Sequence, residues 1–116
     1  MANALKGEVD FTIGDKTHVL CFTSNALVEV ETVTGKDIIS VLGEWQQSPA
    51  IAPLRTLLWG ALRKYRPELS LLDAGDLIDE IGAARMEELG GAIGRALRFR
   101  LSGTFDEPAT EDGREA

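Results

Sequence analysis

Apolar and polar residues alternate through residues 8–22, "EVDFTIGDKTHVLCF": Val9, Phe11 and Ile13 fall on one face of an extended chain, and Glu8, Asp10 and Thr12 on the other. The residues "GDK" break the alternation as a turn would. Beyond them Thr17, Val19 and Cys21 share one face, with His18, Leu20 and Phe22 opposite. This pattern predicts a β-hairpin, which is marginal alone and must pack on another layer.

Helical periodicity takes over after Phe22. Thr23 or Ser24 can cap a helix running to about residue 34, with Leu27, Val30 and Val33 on its apolar side and Gly35 as its stop. A second helix, about 36–46, places Ile38, Val41, Leu42 and Trp45 at i, i+3, i+4 and i+7 before "QQSPAIAP" interrupts. The third, about 52–65, carries the strongest stripe: Leu54, Leu57, Leu58, Ala61, Leu62 and Tyr65. Pro67 is its expected stop. Ser70 opens a fourth helix as an S-x-x-D variant of the capping box, with Asp73 and Asp76 where a helix N-terminus favours negative charge and Leu77, Ile78 and Ile81 as the apolar face.

A fifth helix, about 83–99, puts Leu89, Ile93, Ala96 and Leu97 on one side. Gly90, Gly91 and Gly94 interrupt it, and each glycine costs about 1 kcal/mol relative to alanine. Their presence predicts either a bend or a neighbouring backbone packed closely against the helix. The run "LRFRL" at 97–101 also alternates and reads equally as a short strand. After residue 103 periodicity disappears and acid accumulates, as expected of a disordered tail. The predicted architecture is α+β, mostly α: one globular domain over 1–102, in which an N-terminal hairpin (8–22) precedes four to five short helices (24–99) packed as a small bundle, followed by an acidic tail over 103–116.

Composition narrows the function classes. A chain of 116 residues that is 44% hydrophobic can bury one modest core without disulfide or metal staples. Its net charge of −7 opposes general affinity for nucleic acid or an anionic membrane. The single cysteine cannot form an internal disulfide, no apolar run reaches the length of a membrane span, and residues 1–7 lack the apolar core of a signal peptide. These features point to a cytoplasmic chain whose partners are proteins.

Candidate chemistry is sparse. His18 and Cys21 lie three residues apart on one predicted strand, which sends them to opposite faces and defeats a Cys-His nucleophile pair. Cys21 reads as a small core residue and His18 as an edge or surface position. Neither CxxC nor HExxH occurs, and "DAGDLIDE" lacks the oxygen-ligand spacing of a calcium loop. Asp73, Asp76, Asp79 and Glu80 fit the start and solvated face of a helix instead. "GGAIGRA" lacks the lysine and hydroxyl of a phosphate loop. No catalytic residue, cofactor site or metal site is expected.

A helix pair around Pro67 invites comparison with DNA-reading motifs, and charge argues against it. Residues 55–66 hold Arg55, Arg63, Lys64 and Arg66 with no acid, whereas residues 67–84 hold Glu68, Asp73, Asp76, Asp79 and Glu80 with no base. The second helix of such a motif would enter the major groove, and here it is the acidic one. The bases at 63–66, and Arg95, Arg98 and Arg100, are expected to pair with nearby acids.

The order of elements, with "LWGAL" at Leu58 to Leu62 and "PELS" leading into "LIDE" at Leu77 to Glu80, resembles the tail assembly chaperones of the gene transfer agent type, small proteins of phage-like tail gene clusters. The resemblance spans roughly residues 7–98 and leaves the acidic tail unmatched. It implies a non-enzymatic factor that binds the tape measure protein, keeps its helices dissolved and helps deliver tail tube protein, without remaining in the finished particle. A structural tail or neck component is the alternative, and a small DNA-binding regulator a more distant one. For a protein-binding surface, Trp45 continues its helix's apolar stripe and reads as core. Trp59 lies beside the main stripe and is the first interface candidate, followed by Tyr65 and Arg63.

Overall fold

A computed structural model describes residues 3–48 and 50–102 of the chain. Strands β1 (Val9–Ile13) and β2 (Lys16–Leu20) pair antiparallel, with Val9 opposite Leu20, Phe11 opposite His18 and Thr12 opposite Thr17. Gly14 makes the turn at φ +63°, where a side chain would be strained. Val9, Phe11, Ile13 and Leu20 are buried beneath the helices.

Five α-helices follow among the described residues: α1 (Ser24–Thr34), α2 (Ile38–Gln47), α3 (Ile51–Leu62), α4 (Leu71–Ile81) and α5 (Met86–Ser102). The fold is α+β and mostly α, a hairpin packed on a small helical bundle. Thr23 caps α1 by accepting the Ala26 N–H at 3.0 Å, and Gly35 ends it at φ +72°. Asp37 caps α2, and Glu31 reaches across the corner from α1 to accept the Ile38 N–H at 2.8 Å. At α4 the reciprocal Ser70–Asp73 capping box forms as the S-x-x-D spacing predicts.

Helix α3 is central: it packs against the other four helices and β2. Leu57, Leu58, Ala61 and Leu62 of its stripe are fully enclosed together with Leu20, Val30, Leu89, Ile93 and Leu97. None of the helices among the described residues is long and apolar enough to cross a membrane.

Several boundaries and positions depart from the periodic reading. Helix α3 ends at Leu62 rather than 65, and Tyr65 leaves the stripe to become 47% exposed. The last turn tightens there, the Arg63 N–H donating to the Gly60 carbonyl at 3.2 Å, and Pro67, which has no N–H to give, follows. Val33 is exposed on α1. A 3-10 turn, Ala83–Arg85, precedes α5, and α5 runs through 97–101 as helix rather than strand. The glycines of α5 are approached by side chains, Trp45 at Gly90 and Arg98 at Gly94, rather than by a neighbouring backbone. The expected tail over 103–116 lies outside the described residues.

Candidate functional site

Two of the three residues singled out for protein binding form one unit. Trp59 is half-buried against the core, and its Nε1 donates to the Leu69 carbonyl at 3.2 Å. The Arg63 guanidinium lies 4.9 Å from the Trp59 ring centroid, donates through Nη1 to the carbonyls of Pro67 at 2.8 Å and Leu69 at 3.2 Å, and pairs through Nε with Glu29 at 2.7 Å. Together they staple the α3–α4 connection onto α1, so their polar groups face their own chain. Arg63→Ala is expected to lower stability by about 2 kcal/mol, because several charge-assisted bonds go at once. Trp59→Phe should cost under about 1 kcal/mol, since Arg63 still satisfies the Leu69 carbonyl. Urea denaturation midpoints of the two variants check this ordering.

Tyr65 belongs to a different cluster. Its hydroxyl donates to Glu8 Oε2, Lys64 Nζ reaches the same oxygen at 3.3 Å, and the Asn3 N–H donates to Glu8 Oε1 at 2.9 Å. Alternation placed Glu8 on the polar face of the strand, yet it is only 5% exposed, because residues 64 and 65 cover it from far along the chain. These hydrogen bonds, the one from Tyr65 foremost, hold the Glu8 carboxyl below the usual glutamate range against the opposing effect of burial. The folded chain thus keeps Glu8 ionised at lower pH than the unfolded chain does. Its stabilisation is present above the unfolded glutamate value of about 4.3 and is lost as pH falls below it. A plot of melting temperature from pH 6 to 3 should fall less steeply for Glu8→Gln than for the natural chain, from a lower starting value at pH 6.

His18 and Cys21 do not meet as a reactive pair. Burial pushes the Cys21 thiol up, away from the thiolate form, as a core cysteine requires. His18 corrects the surface reading: it is 6% exposed, since Phe11, its cross-strand partner, sits on the inward face. Among the described residues no cluster of histidine, cysteine or carboxylates could hold a metal ion. Of the bases at 63–66, Arg63 pairs with Glu29, Lys64 with Glu8 and Arg66 with Glu68.

The surface best shaped for a partner lies elsewhere, along α5. A groove of about 500 Å³ is lined by Trp45 of α2, Ile51 and Leu54 of α3, and Met86, Gly90 and Gly94 of α5, with Glu87 and Arg98 also lining it. Gly90 and Gly94, four residues apart, carry no side chains of their own, and the Trp45 ring lies over the first and the Arg98 guanidinium over the second, so these two side chains form the floor of the groove there. Met86 to Arg98 spans about 18 Å of helix, room for roughly three turns of a partner helix. Ile51 is 62% exposed although it opens the most apolar of the described helices. On the other side of the α2–α3 connection, a cleft of about 560 Å³ bounded by Val33, Val41 and Pro53 is crossed by the Lys36–Glu44 ion pair at 2.6 Å, which leaves less apolar surface to offer.

Sequence reasoning missed this groove because each part had an internal explanation: Trp45 continued a core stripe, and the glycines implied close packing. The signal that could have found it was the coincidence of glycines four apart on one helix with two bulky apolar residues flanking "QQSPA". Set beside protein-family models, curated proteins and solved structures, the chain matches none of them.

Proposed function

We propose that this chain is a non-enzymatic tail assembly chaperone of the gene transfer agent type, which binds the tape measure protein and aids assembly of the tail tube around it. The resemblance in "LWGAL" and in "PELS" with "LIDE" motivates the reading, and the groove along α5 is the observation that carries it. In this reading an amphipathic tape measure helix lays its apolar face across Trp45, Ile51, Leu54 and Met86. Glu87 and Arg98 offer one charge of each sign to its polar flanks. A net charge of −7 on the remaining surface keeps the complex dissolved in the host cytoplasm until tube protein arrives, after which the chaperone leaves.

Trp45 provides a direct readout. In Trp59→Phe, Trp45 is the sole tryptophan, and titration with a tape measure helix should shift its emission to the blue with saturation, because the ring passes from partial exposure to burial. An emission spectrum that stays fixed while the segment binds by another measure would remove the groove as the docking site.

A further inference from the structure

The sole histidine of the chain, His18, occupies a second cleft whose chemistry is unlike that of the groove. This space of about 310 Å³ lies between the hairpin and α4, walled by Ile13, Leu69 and Leu77 and fringed by Lys16, Arg66, Asp15 and Glu80. His18 is more than nine-tenths buried, and its imidazole has no hydrogen-bond partner among the described residues. The ring nitrogens of His18 do not belong to the fully buried side-chain nitrogens that lack a hydrogen bond among the described residues, so they keep access to solvent at the cleft that the side chain lines. Lys16 has no ion pair among the described residues, and Arg66 engages Glu68 through Nε alone, at 2.6 Å. The Glu80 carboxylate lies against Gly14 at the hairpin turn.

The geometry points to a binding site for a small monocarboxylate with an apolar substituent, its carboxylate between His18, Lys16 and Arg66 and its hydrocarbon part against Ile13, Leu69 and Leu77. Each wall of the cleft then has a use: the imidazole N–H and the two cations are donors to the oxyanion, and the branched aliphatic side chains exclude water from the rest. Charges facing the imidazole agree with an anionic occupant. Burial foremost, then Arg66 and Lys16, hold the imidazole below its ordinary range, while Glu80 acts the other way. A carboxylate there would favour the imidazolium and reverse that shift.

The experiment is a proton NMR titration of the single histidine, whose ring signals need no assignment by elimination. Adding isovalerate, at ionic strength matched with sodium chloride, is expected to raise the His18 pKa saturably by about one unit. By linkage, isovalerate then binds about tenfold more tightly to the imidazolium than to the neutral ring. Arg66→Gln and Lys16→Gln, each checked for an unchanged fold by its amide spectrum, should each weaken the response. N-acetyl-leucine in a parallel titration separates the sources of the carboxylate: tighter binding than isovalerate assigns a peptide C-terminus, weaker binding a free acid. A shift no greater than chloride gives, a shift that survives both substitutions, or one produced by inorganic phosphate and not by isovalerate would overturn the assignment.

Discussion

Gly60→Val is expected to destabilise the protein by about 3 kcal/mol, seen as a lower urea midpoint with an unchanged slope. Gly60 is buried in α3 where α1 crosses it, and a Cβ built there would stand 2.5 Å from Val30 Cγ2 and 3.4 Å from the Phe22 ring. Val30 is stiff about χ1 and fully enclosed, so it has nowhere to swing, and the two helices must separate. Gly60→Ala meets the same Val30 methyl but gains about 1 kcal/mol of helix propensity, which leaves a net loss of about 1 kcal/mol. The attribution to Val30 is checked by a double-mutant cycle: combined with Val30→Ala, Gly60→Ala should cost less than the two single losses added together.

That glycine shows what periodicity reads well and what it omits. The stripe of α3 was legible because Leu54, Leu57, Leu58, Ala61 and Leu62 repeat at the helical period, and all five are buried. Gly60 carries no side chain to count, so its role as the contact point with α1 is invisible until both helices are in place. Caps were legible for a related reason: Thr23 with Gly35, and Ser70 with Asp73, act within one turn of their own helix. Where a distant segment decides, the local reading failed. Glu8 and His18 belong to an alternating strand that assigns polar residues outward or to an edge, yet Lys64 and Tyr65 cover one, and Leu69 and Leu77 wall the cleft that holds the other. Periodicity extends the α3 stripe to Tyr65, whereas the helix tightens at Arg63 and ends at Leu62. The groove required three helices at once, α2, α3 and α5, and no single stretch of sequence contains it.

Ile51→Glu is the substitution expected to have the largest effect on binding. Ile51 is 62% exposed, so a glutamate there keeps its charge in water and should leave the free chain's stability within about 0.5 kcal/mol. Once a helix covers the groove, that carboxylate would be trapped among the apolar side chains of Trp45, Leu54 and Met86 that line it. Desolvating it would weaken association by about 2 kcal/mol or more, a factor of roughly thirty in Kd. Leu72→Glu is the matched control: Leu72 is 73% exposed on α4, is not part of the groove, and should leave the Kd unchanged. Calorimetric titration of both variants against one tape measure segment separates a groove effect from the general effect of added negative charge.

The central claim, that this chain holds a tape measure helix in solution, is tested most directly by co-expressing it with the helical region of a tape measure protein from a gene transfer agent tail. The account expects the tape measure fragment, insoluble alone, to appear in the supernatant and to co-purify with the chain at fixed stoichiometry, and to return to the pellet when Ile51→Glu is substituted. A fragment that stays in the pellet beside abundant soluble chain would contradict it.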